Sequence, residues 1–363
     1  MRLLFDGQVF VHQATGGISR YFANLIAGLA EYPNVSAYAV APLHRNLHLA
    51  HVPPRLVIGR QISEGRWADQ LTWCATRALS PLFGAILSPD VVHETYFAPK
   101  PYITRARRRL TTMHDMIHEL YLKGTPTTEH KRASIARCDH VICVSKNTKR
   151  DLCELFNFPP ERVSVVHLGY HDFSAHRVRE APTLLKRPAY FLYVGQRDGH
   201  KNFARFMRAF ANSTELRKNF RIVYFGGSPL AQTERMLATE LGLDEHHLVH
   251  LEGNDDFLNT AYRNAIALVY PSLYEGFGLP PLEAMSASCP VLSTNTSSLP
   301  EVVGDAGLMF DPTDVEAISD AMERVATSTA LRRDLIQRGH ERRKLFSWQR
   351  CVKETLDVYR LLN

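Results

Sequence analysis

The sequence predicts two α/β domains, each a parallel sheet wound with helices on both faces. Three observations carry this reading. Short apolar runs alternate with amphipathic stretches from end to end, the order that builds parallel strands joined by crossover helices. The length, 363 residues, accommodates two cores of about 150 residues each. Between them, residues 171–188 (HDFSAHRVREAPTLLKRP) lose the apolar period and carry two prolines, the composition of a linker.

In the first half, strands are expected near 2–6, 35–40, 90–93, 110–113, 140–144 and 163–167, each a run of strand length. Helices are expected near 18–31, 65–84, 128–136 and 146–157, where apolar residues recur at helical spacing. In the second half the strands fall near 189–194, 220–225, 248–251, 266–270, 290–293 and 308–310. Its helices fall near 201–212, 230–241, 255–264, 279–287, 314–327 and 331–344. A last helix near 347–361, in the closing segment 346–363, sets Trp348, Val352, Leu356, Val358 and Leu361 along an apolar side and is expected to pack back on the first domain. The domains are therefore 1–170 and 189–345, facing each other across a cleft, because ligands of parallel sheets sit at the carboxyl ends of the strands.

A hydrophobic fraction of 45% with 22% charged residues excludes disorder, collagen and a small disulfide scaffold. MRLLFDG lacks the apolar core of a signal peptide, and no run of about 20 apolar residues occurs, so a cytosolic protein, soluble or peripheral, is expected. Six scattered cysteines without a CxxC pair read as buried thiols, and the histidines show no metal-ligand spacing, so no protein-held metal is expected. Net charge is +6, and all of it lies early: residues 1–172 carry 20 Lys+Arg against 14 Asp+Glu. It is densest at Arg105, Arg107, Arg108 and Arg109. Such a face suits phosphates or an anionic bilayer, and equally a solvated loop. No zinc-finger, RNP or helix-turn-helix pattern accompanies it, which argues against nucleic acid. No GxGxxG follows the first strand, which argues against a dinucleotide-dependent oxidoreductase.

Four stretches carry chemistry. In YPSLYEGFGLPPLEAMSASCPVLST (270–294), Glu275 and Glu283 stand seven residues apart, with Gly276 and Gly278 between them. Pro280 and Pro281 suit a first helical turn, where a missing N–H costs nothing. Glu275 then lies in the loop and Glu283 on the helix. Loop amides and the positive helix end make an anion site, flanked by carboxylates able to accept hydrogen bonds from sugar hydroxyls. Spacing alone leaves a surface carboxylate beside an ordinary turn equally open. In FLYVGQRDGHKNFARFMRAF (191–210), Arg197 and Lys201 follow a strand end, where cations would face an anionic ligand at the carboxyl edge of the sheet. In the opening segment Gly16-Gly17 precedes a helix starting at Ile18 or Ser19, and Asp6 and Gln13 receive no role. In LTTMHDMIHELY (110–121), His114 follows a strand end, whereas His118 reads as structural.

The 270–294 string resembles the EX7E motif of retaining glycosyltransferases of the GT-B fold, family 4, and the following ASCPVLSTNTSSLPEVVGDAGLMFDP extends the match. The resemblance covers nearly the whole chain and is strongest over 189–312. It implies two Rossmann-like domains and transfer of a sugar from a nucleotide diphosphate sugar with retention. It implies that Glu283 holds the donor ribose, and that Glu275 with the Gly276, Phe277, Gly278 and Leu279 backbone holds the sugar and its phosphate. Lys201 matches the family's Lys-Asn pair. Arg197 is carried over with Gln196 and His200 standing where relatives place the arginine. Gly16 and Gly17 resemble the glycine loop over the donor phosphates, and His114 the histidine near the reacting face. Gly253 and Asn254 lie where the nucleobase is read, and Asp255 is expected to cap the following helix. The catalytic set is then His114, Glu275, Arg197 and Lys201. GDP-mannose is the first donor expected, with a UDP-sugar as alternative, no other cofactor and no metal. The acceptor is expected to be a glycan or lipid-linked precursor of cell-surface polysaccharide, with a peripheral contact to anionic membrane through the first domain. The alternatives are a GT-B nucleotide-sugar epimerase and a non-catalytic phosphate- or membrane-binding module; a phosphorylase would need a pyridoxal lysine motif that is absent.

Overall fold

A computed structural model describes residues 1–63, 65, 67–175, 185, 189–197 and 199–363. It divides into two compact units, Met1–Gly169 with Ser347–Asn363, and Tyr170–Phe346. Most of the stretch read as a linker, 176–184 and 186–188, lies outside the described residues. Its first part belongs to the second unit. Phe173 is buried, donates its amide to Ser286 Oγ (2.9 Å) and packs on Tyr262, while Asp172 pairs with Arg343 (2.9 Å).

The first unit holds β1 (Arg2–Asp6), β2 (Ser36–His44), β3 (Val57–Gln61), β4 (Val91–Glu94), β5 (Arg108–Met113), β6 (His140–Cys143) and β7 (Val163–Val165). They form one parallel sheet in the order β3-β2-β1-β4-β5-β6-β7. Leu4 stands opposite both Tyr38 and Val92, so β1 is central, and its Leu3, Leu4, Phe5 and Asp6 are all buried. The order reverses between β1 and β4. Its helices are α1 (Gln8–His12), α2 (Gly17–Leu29), α3 (Ala68–Leu87), α4 (Ile117–Leu120), α5 (Pro126–Ala136) and α6 (Lys146–Phe156). Strand β3 has no counterpart in the sequence reading. It is an edge strand with no buried residue, and such strands need no apolar pattern. The C-terminal helix, Trp348–Leu362, completes this unit: Tyr359 is hydrogen-bonded to buried His93 (2.7 Å), and Trp348 lies on Gly169. Leu361, expected on its apolar side, is 80% exposed instead.

The second unit holds β8 (Ala189–Val194), β9 (Phe220–Phe225), β10 (Leu248–Leu251), β11 (Ala267–Tyr270), β12 (Val291–Thr294) and β13 (Gly307–Phe310). These are parallel in the order β10-β9-β8-β11-β12-β13, reversing between β8 and β11. Its helices are α7 (Phe203–Asn212), α8 (Thr214–Asn219), α9 (Gln232–Glu240), α10 (Asp255–Asn264), α11 (Leu279–Ser286), α12 (Leu299–Val303), α13 (Val315–Thr327) and α14 (Thr329–Arg342). Helix α7 shows why the core forms. Phe203, Phe206, Met207 and Phe210 recur at helical spacing, and all four are buried against Phe191, Tyr193 and Ile222 of the sheet. The helix starts two residues later than expected, since Asn202 at φ 61° is left-handed and breaks the turn.

Two further expectations change. The arginine run is not one solvated face, because Arg109 is buried and bound to Glu94 (2.9 Å), a carboxylate that Arg137 also holds (2.6 Å). All six cysteines are free, but Cys74 is exposed and Cys153 only half-buried.

Candidate active site

Within the second unit, parallel strands deliver the loops of interest to one edge of its sheet. In sheet order, the carboxyl ends lead to Gly253-Asn254 after β10, Gly226-Gly227 after β9, Arg197 and Lys201 after β8, Glu275–Leu279 after β11, and 295–298 after β12. The centre of that edge is the switch point between β8 and β11, where a doubly wound sheet leaves a crevice.

The loop after β8 is anchored at both ends. Gly195, at φ 123°, turns the chain out of the strand, and its amide bonds to Phe225 O (3.0 Å). Asn202 closes the loop by donating its side-chain amide to Pro271 O (3.0 Å) and Pro312 O (2.8 Å). His200 O accepts from Leu273 N (2.7 Å), tying this loop to the next. Lys201 is thereby held beside Glu275, with Nζ 2.7 and 2.9 Å from its two carboxylate oxygens. Tyr270 lies under the same ammonium at 5.9 Å, and its phenol is pushed well up, by burial first and the Glu275 charge second.

The loop after β11 has hydroxyl supports that the sequence reading passed over. Thr294 Oγ1 donates to Ser272 O (2.9 Å), and Thr296 Oγ1 to Leu273 O (3.2 Å). Ser297 Oγ accepts the Glu275 amide (3.0 Å), and the buried Ser298 hydroxyl is shared between Glu275 O (2.9 Å) and Phe277 O (2.8 Å). Phe277 itself is a core side chain packed on Phe346, so only its backbone is available to a ligand. Gly278 must be glycine: its φ is 110°, and a Cβ would lie 2.7 Å from Leu299. Helix α11 starts immediately after it, and two prolines in its first turn leave its outermost amides those of Gly278 and Leu279. Glu283, half-buried on that helix, accepts a hydrogen bond from Tyr262 OH (3.3 Å).

The structure thus brings Lys201 and Glu275 together, but it places Arg197 elsewhere. The Arg197 guanidinium folds over Tyr224 (4.9 Å), pairs with Glu234 (2.9 Å) and donates to Ser228 O (2.6 Å) and Pro229 O (3.1 Å). It braces the β9–α9 loop. Gly227 lies against it, at φ 68°, where a Cβ would be 3.3 Å from Nη1. The Gly226-Gly227 pair after β9 was the available signal for that brace. The α10 cap expected of Asp255 is instead the Asn254 side chain, which accepts from Phe257 N (3.0 Å). Gly253 packs against Phe257.

In the first unit, Gly16 and Gly17 form the start of α2, and Gln13 Oε1 accepts the Ser19 amide there (3.1 Å), so Gln13 is structural. His114 follows β5 and meets the Tyr21 ring edge-on (5.2 Å). Burial pushes its pKa down to about 4, against the opposing pull of Asp115, so the ring is neutral near pH 7. Its Nε2 is buried without a hydrogen-bond partner in the structure. Burial would raise Asp115, but Lys131 (Nζ to Oδ1 3.4 Å) and the Ile117 amide bring it below the usual range.

Residues 176–342 match the family described as Glycosyl transferases group 1, and residues 15–172 that described as Glycosyltransferase Family 4. The chain is 32% identical over 303 residues to the O-antigen chain mannosyltransferase B of Escherichia coli, spanning 79% of this chain and 80% of that one. The chain belongs to the group 1 glycosyltransferases. A second relative, the O-antigen chain mannosyltransferase RfbU of Salmonella typhimurium, is 26% identical over 332 residues, 85% of this chain and 87% of that one. Among solved structures, Anabaena HepE in complex with UDP and glucose superposes with TM-score 0.74 at 14% identity, covering 99% of each chain. Sucrose-phosphate synthase from Thermosynechococcus elongatus gives 0.74 at 20% identity, over 99% of this chain and 98% of that one. These likenesses make the fold GT-B. The enzyme is a hexosyltransferase that uses a nucleotide-sugar donor.

Proposed function

We propose that this glycosyltransferase moves a mannosyl residue from GDP-mannose to a hydroxyl of a glycan or lipid-linked acceptor in cell-surface polysaccharide synthesis, with retention at the anomeric carbon. The observation that carries it is the Lys201–Glu275 pair beside the first turn of α11, at the switch point of the second sheet. The O-antigen mannosyltransferases among the relatives support the sugar and the acceptor class.

In this reading the donor diphosphate meets the Gly278 and Leu279 amides and Lys201. Glu275 keeps the ammonium in place and accepts hydrogen bonds from the sugar, while Glu283 accepts from the ribose hydroxyls. Gly16 and Gly17 approach the phosphates through backbone amides, and His114, as a neutral imidazole, hydrogen-bonds the sugar. A retaining hydrolase uses one of two carboxylates about 5 Å apart as nucleophile. Here both glutamates are engaged in holding the donor, so transfer proceeds on one face. The bond from the anomeric carbon to phosphate oxygen breaks, the acceptor oxygen bonds to that carbon, and its proton passes to the departing phosphate. Catalysis is positioning plus stabilisation of the leaving charge by Lys201 and the α11 amides, the role a divalent ion fills elsewhere. Arg197 contributes indirectly, by holding the neighbouring loop through Glu234. The basic first unit is proposed to rest on an anionic membrane surface.

Product analysis by NMR with a panel of GDP- and UDP-sugars tests the reading. The expected result is an α-mannoside from GDP-mannose, abolished by Lys201→Ala or Glu283→Ala in folded protein. An inverted product, turnover only with a UDP-sugar, epimerisation of the donor without transfer, or full activity in those variants overturns it.

A further inference from the structure

Helix α3 is amphipathic the wrong way round for a core helix. Its buried residues are Ala68, Thr72, Thr76, Ser80 and Gly84, four apart and therefore on one stripe. Their smallness has a cause. A Cβ on Gly84 would lie 2.6 Å from Ile103, and Thr76 sits 2.8 Å from where a Cβ on Gly7 would be. The helix hugs the sheet so closely that nothing larger fits.

The bulk points outward. Trp67, Leu71, Leu79, Leu82 and Ile86 are 40–75% exposed along or just before this helix, within about 120° of its circumference, and its 20 residues span about 30 Å. Single exposed leucines are ordinary, but a continuous apolar strip of this length needs an occupant. Asp69 and Arg77 are the helix's charged residues; Asp69 is taken by Arg45, and Arg77 lies over the Trp73 ring (5.2 Å). From residue 70 to 89 there is no acidic residue. At the C-terminal end of α3 positive charge is in excess: Arg2 donates to Leu87 O and its amide to Asp90 Oδ2 (2.7 Å), and the loop carrying exposed Arg105 and Arg107 runs alongside, with Arg107 N bonded to Pro89 O (3.4 Å).

We propose that α3 lies flat in the interface of a bilayer rich in anionic lipid. Its apolar strip inserts among the acyl chains, Trp67 sits at the headgroup level, and Arg77, Arg105 and Arg107 meet lipid phosphates. A second copy of the chain fits less well. A symmetric α3–α3 contact would bring Arg77, Arg105 and Arg107 of both copies together, and the chain offers no acidic residue from 70 to 89 to neutralise them. No helix among the described residues is long and apolar enough to cross a membrane, so the contact is one of lying on the surface. This deepens the membrane-contact reading above by naming the face, and it replaces charge alone with an apolar anchor.

The test is co-sedimentation of the full chain with phosphatidylcholine vesicles, with and without phosphatidylglycerol, in the absence of donor. The parent is expected to partition at least about tenfold better with the anionic lipid, and L82E/I86E to lose about tenfold or more of that binding. Quenching of tryptophan fluorescence by brominated lipid is expected in the parent and lost in L82E/I86E. An L82S/I86S variant guards against an effect of added negative charge and is expected to lose binding as well; unchanged melting temperatures show that all variants fold. R105Q/R107Q is expected to lose only the preference for anionic lipid. If R105Q/R107Q abolishes binding while L82E/I86E and L82S/I86S bind like the parent, the basic-surface reading survives and the α3 inference fails. No vesicle binding at all, or a concentration-dependent dimer dissolved by L82E/I86E in place of vesicle binding, overturns both. None of these readouts depends on glycosyl transfer.

Discussion

The two sheets reverse their strand order in the same way, yet the two switch points are built for opposite ends. At the β1/β4 switch the Asp6 carboxylate is consumed. It accepts from Thr95 N (2.9 Å), Thr95 Oγ1 (2.7 Å) and Gln8 Nε2 (2.5 Å), and it is wholly buried. At the β8/β11 switch the Lys201 side chain stays 21% exposed, and Glu275 faces it beside a helix start. One crevice is closed with hydrogen bonds and the other is left with charge to offer. Topology supplies the place for a site, and the residues at the strand ends decide whether it is used.

The sharpest way to break this contrast is Glu275→Gln. It is expected to cut the transfer rate about 10²–10³-fold, the scale of losing a preorganised electrostatic contact, with little change in melting temperature. Asp6→Ala should do the reverse. It leaves buried donors unpaired and is expected to cost about 2–4 kcal/mol by urea unfolding, with kcat close to the parent's. If Asp6→Ala abolishes turnover at unchanged stability, the contrast is wrong.

A pH series sharpens the same point. Burial, and the Glu94 charge after it, push the Asp6 carboxyl from 3.8 up to about 6. The folded state therefore binds a proton more tightly than the unfolded state. Stability from this group is present below about pH 4, falls as pH rises to about 6, and is flat beyond. The parent is expected to lose ~2–3 kcal/mol across that window relative to Asp6→Asn, compared by urea unfolding at each pH.

Ser298→Ala tests the hydroxyl scaffold behind Glu275. The expected loss is about tenfold in kcat/KM with about 1 kcal/mol of stability, because two loop carbonyls lose their donor. Asn254→Ala gives the smallest effect, about 1 kcal/mol from a lost helix cap. A large rise in KM for the donor with no loss of stability would place the Asn254 side chain at the nucleobase.

How much of this could be read early depended on distance along the chain. Most strands and the longer helices were legible because their period is local: Phe203, Phe206, Met207 and Phe210 announce α7 without help. The Glu275-to-Glu283 spacing was legible for the same reason, with both residues framing one loop and one helix start. Strand β3 was not, since an edge strand with nothing buried leaves no pattern.

The arginine assignments changed through remote partners, whereas the α10 cap moved from Asp255 to Asn254 within a single turn. Arg197 looked like a free loop cation until Glu234, 37 residues on, took it. Arg109 looked like part of a basic face until Glu94 and the Ile103 carbonyl buried it. The Thr294–Ser298 hydroxyls look like any polar loop until β12 is placed beside β11.

By itself, then, the sequence determined the α/β order, the family and the loop that carries the glutamates, because each is written in neighbouring residues. The tertiary structure alone decided which cation faces Glu275, which carboxylates are spent on structure, and which face of α3 meets solvent. Those outcomes depend on hydrogen bonds and close packing between segments tens of residues apart, and no local period records them.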